Sequence, residues 1–148
     1  MLVAEVYGIF AAKSMFGNSP VVVLRTEDGR LLPIYIGLAE ALSIYSALRG
    51  DVPPRPMTHD LMVDVISKLN ARVEKIVIDD LIDNTFYARL ILRQNDRVVE
   101  IDARPSDSIA IAIRLACPIF VEEEVMDEAG SDELPPELVS FEEGFGFR

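Results

Sequence analysis

The order of the hydrophobic runs along the chain is the feature that most restricts its fold. Three β-type runs come first, with the turn signal "EDG" between the second and the third. Two helical patterns follow, and then three more strands separated by "IDNT" and "NDR". A third helical pattern and a short strand, "PIFVEE", complete the series. This order predicts an α+β fold, a single domain with a mixed, mainly antiparallel sheet and about three helices.

All three helical patterns are rich in apolar residues, and the first and the third have too little polar surface for the exterior of a monomer. The first ends at Gly50 and spaces its apolar residues as a helix does: Leu38, Ala41, Leu42, Tyr45 and Leu48. The second follows Thr58 and has an apolar stripe: Leu61, Met62, Val65, Ile66 and Leu69. The third, after Ser106, is apolar nearly all round, which predicts burial under the sheet or between subunits. We therefore expect a homodimer.

Charge is unevenly distributed along the chain. The total is −11, and residues 122–148 hold ten acidic residues and one arginine, a net of −9, which leaves −2 for residues 1–121. An acidic chain is a poor candidate for extensive phosphate contacts, because these need Lys and Arg. We expect a domain at residues 1–128, followed by an acidic tail at 129–148 that lacks regular structure and is dispensable for folding.

Three features favour a cytoplasmic protein without membrane association. The sequence has no apolar run of the roughly 18 residues that span a bilayer. The N-terminal stretch "MLVAEVYGIFAAK" lacks the basic start of a signal peptide. Cys117 is the single cysteine, which excludes a disulfide within the chain and a cysteine-rich metal cluster.

Two similar phrases, each placed before a helical pattern, hold several chemically versatile side chains: "RPMTHDL" and "DARPSDSIAIAIR". In the simpler interpretation, Thr58 and Ser106 are helix caps, and Asp60 and Asp107 lie in the positive field of the first helical turn. The alternative is a binding site at two facing helix starts, where free N–H groups already attract anions.

The side chains of these phrases would suit such a site for phosphodiester chemistry. Arg55 and Arg104 are candidates for binding phosphate, with Thr58 and Ser106 beside them. Four carboxylates are candidate ligands for Mg²⁺ or Mn²⁺: Glu40, Asp60, Asp102 and Asp107. His59, the one histidine, would transfer a proton. The sequence has no phosphate-loop, dinucleotide-binding, zinc-protease or serine-hydrolase motif.

Several segments together resemble the bifunctional nuclease domain family of small bacterial and archaeal proteins. They are "PIYIGLAEALSI", "RPMTHDL", "FYARLIL" and "DARPSDSIAIAIR", followed by "PIFVEEEV", and the resemblance covers roughly Leu2 to Glu128. It implies an α+β fold, a dimer and nuclease activity on RNA and DNA. It also marks motif positions without assigning their roles: Glu40, Arg55, Thr58, His59, Asp60, Asp102, Arg104, Ser106 and Asp107.

Three functional hypotheses follow. In the first, the chain is a metal-assisted nuclease in which the carboxylates hold the metal, the two arginines hold phosphate and the histidine moves a proton. The second is a non-catalytic dimeric module that binds an anionic ligand or a protein partner. In the third, the arginines and aspartates form buried ion pairs that orient the helices. Tyr35, Tyr45 and Tyr87 are expected to pack against neighbours rather than to stack on bases.

Overall fold

The computed structural model describes residues 1–147, in which strands of one sheet and five helices alternate. The strands are β1 (Leu2–Ser14), β2 (Gly17–Thr26), β3 (Leu31–Tyr35), β4 (Ala71–Ile82), β5 (Thr85–Gln94), β6 (Arg97–Ala103), β7 (Ile119–Val121) and β8 (Leu138–Ser140). The helices are α1 (Leu38–Arg49), α2 (Thr58–Lys68), α3 (Pro105–Leu115), α4 (Glu123–Ala129) and α5 (Phe141–Phe145). The α+β class is confirmed. The expectation of about three helices is wrong, because α4 and α5 form in the acidic segment.

The sheet has the order β3-β2-β1-β7-β4-β5-β6, and β8 pairs with β1 at residues 10–12. Within the described chain, β4 and β7 are its one parallel pair, so the prediction of a mixed, mainly antiparallel sheet is confirmed. The sheet consists of two antiparallel meanders, β1–β2–β3 and β4–β5–β6. The three-residue strand β7 joins them by pairing with both β1 and β4.

Local sequence explains the strands and their turns. The β-branched run of β2 is buried on both faces, since Val21, Val22 and Val23 are all inaccessible to solvent. The turn between β4 and β5 consists of Asp83 and Asn84, with φ angles of 51° and 62°. Positive φ at both central positions is typical of the type I′ hairpin turn, and Asp and Asn tolerate it better than most residues.

Helix α3 is the centre of the hydrophobic core. It packs against α1, α2, β4 and β5, and its residues Ser108, Ile109, Ala110 and Ile111 are fully buried. The hydroxyl of Ser108 donates to the carbonyl oxygen of Arg104 at 3.0 Å, so this polar group is satisfied inside the helix. The apolar character of α3 is therefore explained by burial under the sheet of its own chain.

The apolar stripes of α1 and α2 are only partly buried within the chain. In α1, Ala41 and Ile44 face the core, while Leu38, Leu42 and Leu48 are exposed. In α2, His59 is the buried residue, and four members of the predicted stripe are exposed: Leu61, Met62, Val65 and Leu69. The reason is that polar contacts of the first turn of α2, described below, turn that side of the helix inward.

The segment predicted as a tail, residues 129–148, contains β8 and α5, so the expectation that it lacks regular structure is wrong. Just before it, Val125 and Met126 of α4 are buried, and Arg30 pairs with Asp127 at 2.9 Å. Phe141 is 1% exposed and contacts the rings of Tyr45, Phe145 and Phe147. A few apolar residues thus anchor an otherwise acidic stretch. Among the helices of residues 1–147, none has both the length and the apolar character needed to cross a membrane.

Candidate active site

An open cleft of about 600 Å³ lies where α1 and α3 begin. Its wall includes Gly37 and Glu40 of α1, and Arg104 and Ser106 at the start of α3. Tyr35 at the end of β3 and the tip of the β4–β5 hairpin complete the rim. Two helix starts therefore face one cleft, as the sequence suggested, but they belong to α1 and α3 rather than to α2 and α3.

Neither of the predicted helix caps is in the cap position. Arg104 is the N-cap of α3 and Pro105 is its first residue, so Ser106 lies two residues past the cap position. Met57 is the N-cap of α2, and its N–H donates to Asp60 Oδ2 at 3.0 Å. Asp60 therefore accepts a hydrogen bond from the N–H of the N-cap residue, in the manner of the second half of a capping box, and Thr58 is not the cap.

Arg104 connects the starts of α1 and α3. Its Nε and Nη2 atoms donate to the two carboxylate oxygens of Asp107 at 2.8 and 3.1 Å. Its Nη1 lies 3.7 Å from Glu40 Oε1. The hydrogen bonds to Asp107 raise the pKa of Arg104, so its charge is secure. The side chain is still 64% exposed, which leaves part of the guanidinium free to meet a ligand.

Glu40 folds back over the start of its own helix. A Cβ atom on Gly37 would collide with the Glu40 carboxylate, so glycine at this position allows the close approach. A carboxylate here interacts favourably with the positive end of the α1 dipole. Glu40 is the one carboxylate among the described residues that line the cleft.

Asp107 also accepts a hydrogen bond from His59, and this contact ties α2 to α3. His59 Nε2 lies 2.8 Å from Asp107 Oδ1, and His59 Nδ1 lies 2.6 Å from Ser43 Oγ of α1. A carboxylate only accepts, so Nε2 carries a proton and Nδ1 can accept from the Ser43 hydroxyl. Burial opposes ionisation of Asp107, but the hydrogen bonds from Arg104 and His59 outweigh it and lower its pKa.

Asp60 belongs to a second group of contacts on the other side of α2. Arg114 donates from Nε to Asp60 Oδ1 at 2.8 Å and from Nη2 to the carbonyl oxygen of Ser43 at 3.3 Å. The hydrogen bond from Arg114 lowers the pKa of Asp60. Both residues line a separate cavity of about 350 Å³, next to the loop between α1 and α2. Here the hypothesis of ion pairs that orient helices fits the geometry.

The remaining predicted residues lie away from the cleft. Arg55 and Thr58 are exposed near the start of α2, and Asp102 is exposed on β6 opposite Arg89. None of the three is among the residues of the described chain that line the cleft. Glu40 and Asp107 are thus joined through Arg104, whereas Asp60 and Asp102 are elsewhere.

The four predicted metal ligands are not assembled. Across residues 1–147, no three His, Cys, Asp or Glu side chains are placed together so that they could hold a metal ion. Two carboxylates neutralise Arg104: that of Glu40, which lines the cleft, and that of Asp107, which lies behind the cleft wall. In this conformation the cleft offers a metal a single carboxylate, that of Glu40.

Sequence reasoning missed two residues that shape the site, Ser43 and Arg114. Ser43 holds His59, and Arg114 holds Asp60. Their partners are 16 and 54 positions away in the chain, so no local motif marks them. The one available signal was that Ser43 and Arg114 each lie within an apolar helical pattern, where a polar side chain near the core needs a partner.

Comparison with known proteins identifies the family. The chain matches the Bifunctional nuclease domain over residues 22–133. An uncharacterized protein of Mycobacterium tuberculosis is 49% identical over 114 residues, which cover 76% of this chain and 68% of that protein. Bifunctional nuclease 1 of Oryza sativa subsp. japonica is 28% identical over 120 residues, or 78% of this chain and 36% of the rice protein. Bifunctional nuclease 2 of Arabidopsis thaliana is 29% identical over 116 residues, or 71% of this chain and 35% of that protein. This chain therefore spans about a third of those plant proteins, and it belongs to the bifunctional nuclease domain family.

Proposed function

We propose that this chain is a nuclease that hydrolyses phosphodiester bonds of RNA or DNA in the cleft between α1 and α3. The observation that carries the proposal is the position of Arg104 in a chain of this family. Its exposed guanidinium stands in an open cleft beside the N-terminus of α3. A phosphate there would receive charge-assisted hydrogen bonds from Arg104 and from the free N–H groups of the first helical turn.

Glu40 is the candidate general base. It lines the cleft, and its carboxylate lies within an ion-pair distance of Arg104, so a base and a phosphate ligand are adjacent. A carboxylate at that place can accept the proton of an attacking hydroxyl or water. Arg104 and the α3 N-terminus would stabilise the negative charge that develops on the phosphoryl oxygens.

We propose a positioning role for His59. It is buried, it is not among the described residues that line the cleft, and both of its ring nitrogens are engaged. It holds the carboxylate of Asp107, which in turn fixes the guanidinium of Arg104. Direct proton transfer by His59 stays a prediction from the sequence, and its burial argues against contact with substrate.

A requirement for Mg²⁺ or Mn²⁺ stays a prediction. The residues do not form a fitted metal site, because Glu40 alone offers the cleft a carboxylate and Asp107 stands behind Arg104. Glu40 would be the first candidate ligand, since Mg²⁺ often takes one protein carboxylate and completes its shell with phosphate and water. Asp60 and Asp102 have no place in this proposal.

The test compares cleft residues with matched residues outside the cleft. Cleavage of labelled single-stranded RNA and DNA is measured in Mg²⁺, in Mn²⁺ and in EDTA. Arg104→Gln and Glu40→Gln should each lower the rate by roughly 100-fold or more. Arg55→Gln and Asp102→Asn, which change exposed residues of the same charge, should stay within about threefold. Equal losses in all four folded variants, or no cleavage by the unaltered protein, would refute the proposal.

The second candidate function is a non-catalytic module for an anionic ligand. The buried position of the chain's one imidazole favours it, because His59 does not reach the cleft wall. This function predicts Arg104-dependent binding of phosphate compounds in EDTA without turnover in any metal.

We also propose a homodimer. The exposed leucines of α1 and the exposed apolar residues of α2 leave apolar surface uncovered on two helices that both pack on α3, and such surface normally marks an interface. A cytoplasmic location stays a prediction from the sequence.

A further inference from the structure

We propose that the cleft selects an unpaired nucleotide, with its phosphate at the start of α3 and its base against Tyr35. The inference rests on the proposed function for the choice of site and adds the class of substrate. The nucleotide can be free or an unpaired position of a strand, since both present the same phosphate and the same open base.

Ser106 supports the phosphate half of the proposal. The residue is 5% exposed, yet it lines the cleft. Its hydroxyl makes no hydrogen bond with any residue of the described chain, and in residues 1–147 no side-chain oxygen or nitrogen is both buried and unpartnered. The Ser106 hydroxyl therefore opens into the cleft. It would join the first-turn N–H groups of α3 and the Arg104 guanidinium as donors to one phosphate.

Tyr35 supports the base half. The sequence suggested that this tyrosine packs, but it is 60% exposed and lines the cleft at the end of β3. Within residues 1–147 its ring has no aromatic or cationic partner. Pro20, Ile36 and Phe86 provide further apolar wall. A free aromatic face next to an apolar wall is the usual platform for an unpaired base.

Size and charge exclude a duplex from this cleft. Its volume of about 600 Å³ is that of a small-molecule site, so a paired base would have to leave its helix to enter. Arg104 is the one cation among the described residues that line it, and Glu40 and Asp107 oppose it. Duplex binding relies on several phosphate contacts, and this cleft provides for about one.

The first experiment measures binding in EDTA, where metal-dependent cleavage is absent, with AMP and ribose 5-phosphate as probes. AMP should bind about 5- to 100-fold more tightly, because only AMP carries a base to stack. Tyr35→Ala should abolish the preference for AMP over ribose 5-phosphate, and Tyr35→Phe should retain it. Tyr87→Ala, which alters an exposed tyrosine outside the cleft, should leave it unchanged. Equal binding of the two probes, or a ratio unaffected by Tyr35→Ala, would overturn the proposal.

Ser106→Ala checks the phosphate end. It should weaken AMP and ribose 5-phosphate by the same factor, roughly three- to tenfold, because both present the phosphate. The thermal midpoint shows whether the variant is folded. A folded Ser106→Ala protein with unchanged affinity for both probes would contradict the placement of the phosphate.

A second experiment separates a free nucleotide from a strand. A fluorescein-labelled single-stranded DNA of twelve nucleotides is compared with its duplex between 50 and 200 mM salt. For one phosphate contact on a single strand, log K should fall with log salt at a slope of about −0.7. Binding of AMP but not of the single strand assigns the cleft to free nucleotides. Binding of both AMP and the single strand assigns it to unpaired positions of strands. Equal affinity for the duplex would overturn the proposal.

The two proposals fail separately. A Tyr35-dependent preference for AMP without cleavage in any metal would refute the nuclease and leave this inference standing. Cleavage of strands by a protein that binds AMP and ribose 5-phosphate equally would refute the inference alone.

Discussion

Replacing Phe141 by alanine tests whether the acidic C-terminal segment is part of the core. Phe141 is 1% exposed, and its ring centroid lies 5.1 Å from that of Tyr45 and 5.0 Å from that of Phe145. Truncating a buried phenylalanine removes apolar burial and leaves a cavity, which typically costs about 3–5 kcal/mol. At roughly 2–4 °C per kcal/mol for a chain of this size, the thermal midpoint should fall by about 6–20 °C.

The assay is unfolding followed by circular dichroism, by heat for the thermal midpoint and by urea for the free energy of unfolding and the m-value. Phe147→Ala is the matched control, because Phe147 belongs to the same ring cluster, with its centroid 5.4 Å from that of Phe141, but is 38% exposed. It should lose no more than about half as much stability. A loss below about 1 kcal/mol for Phe141→Ala would show that α5 does not dock in solution. That result would restore the expectation that residues 129–148 are dispensable.

Three further predictions concern charge and assembly. Asp107→Asn should leave a folded protein that is less stable by about 1–2 kcal/mol, because the amide keeps one acceptor oxygen and its NH2 group cannot accept from Arg104. Cleavage should be up to about 100-fold slower, because Arg104 loses part of its anchor. Wild-type rates would contradict the positioning role. The folded pKa values of Asp60 and Asp107 are lowered, so their stabilisation is complete above the unfolded values and is lost as pH falls through the folded ones. The free energy of unfolding measured in urea should therefore decline below about pH 4, and the decline should be shallower in Asp60→Asn than in the unaltered protein. Identical pH profiles for the two proteins would contradict this. Light scattering at micromolar concentration should give a dimer mass, and Leu61→Glu on the exposed face of α2 should give a monomer; a monomer mass for the unaltered protein would refute the dimer.

The fold was predictable wherever the secondary structure of a segment is determined by its own residues. The strand built on the valines of β2 and the turn at Asp83 and Asn84 follow from side-chain shape and backbone preference, and a strand and a turn were expected there. The rotation of α2 was not predictable, because it depends on contacts of His59 and Asp60 with other helices. Composition misled in the acidic segment, where Phe141 outweighs the many acidic residues around it.

The candidate site was predictable in part. Glu40, Arg104 and Ser106 were identified from their types and from their places near helix starts, and they line one cleft. The pairing of α3 with α1 instead of α2 is a property of the tertiary fold. Tyr35 was expected to pack because an isolated tyrosine at a strand end carries no signal of exposure, and its position at the cleft is set by neighbours distant in sequence.

The short strand β7 has a consequence for the order of folding. Each meander is built from local hairpins, whereas β7 pairs Val121 with Leu2, near the two ends of the domain, and thereby joins the meanders. Loop-closure entropy makes such distant pairings late events. The cleft takes Tyr35 from one meander and Asn84 from the other, so its wall is complete only when the two meanders have come together. We therefore expect the proposed nucleotide binding to return during refolding only after the two meanders have joined.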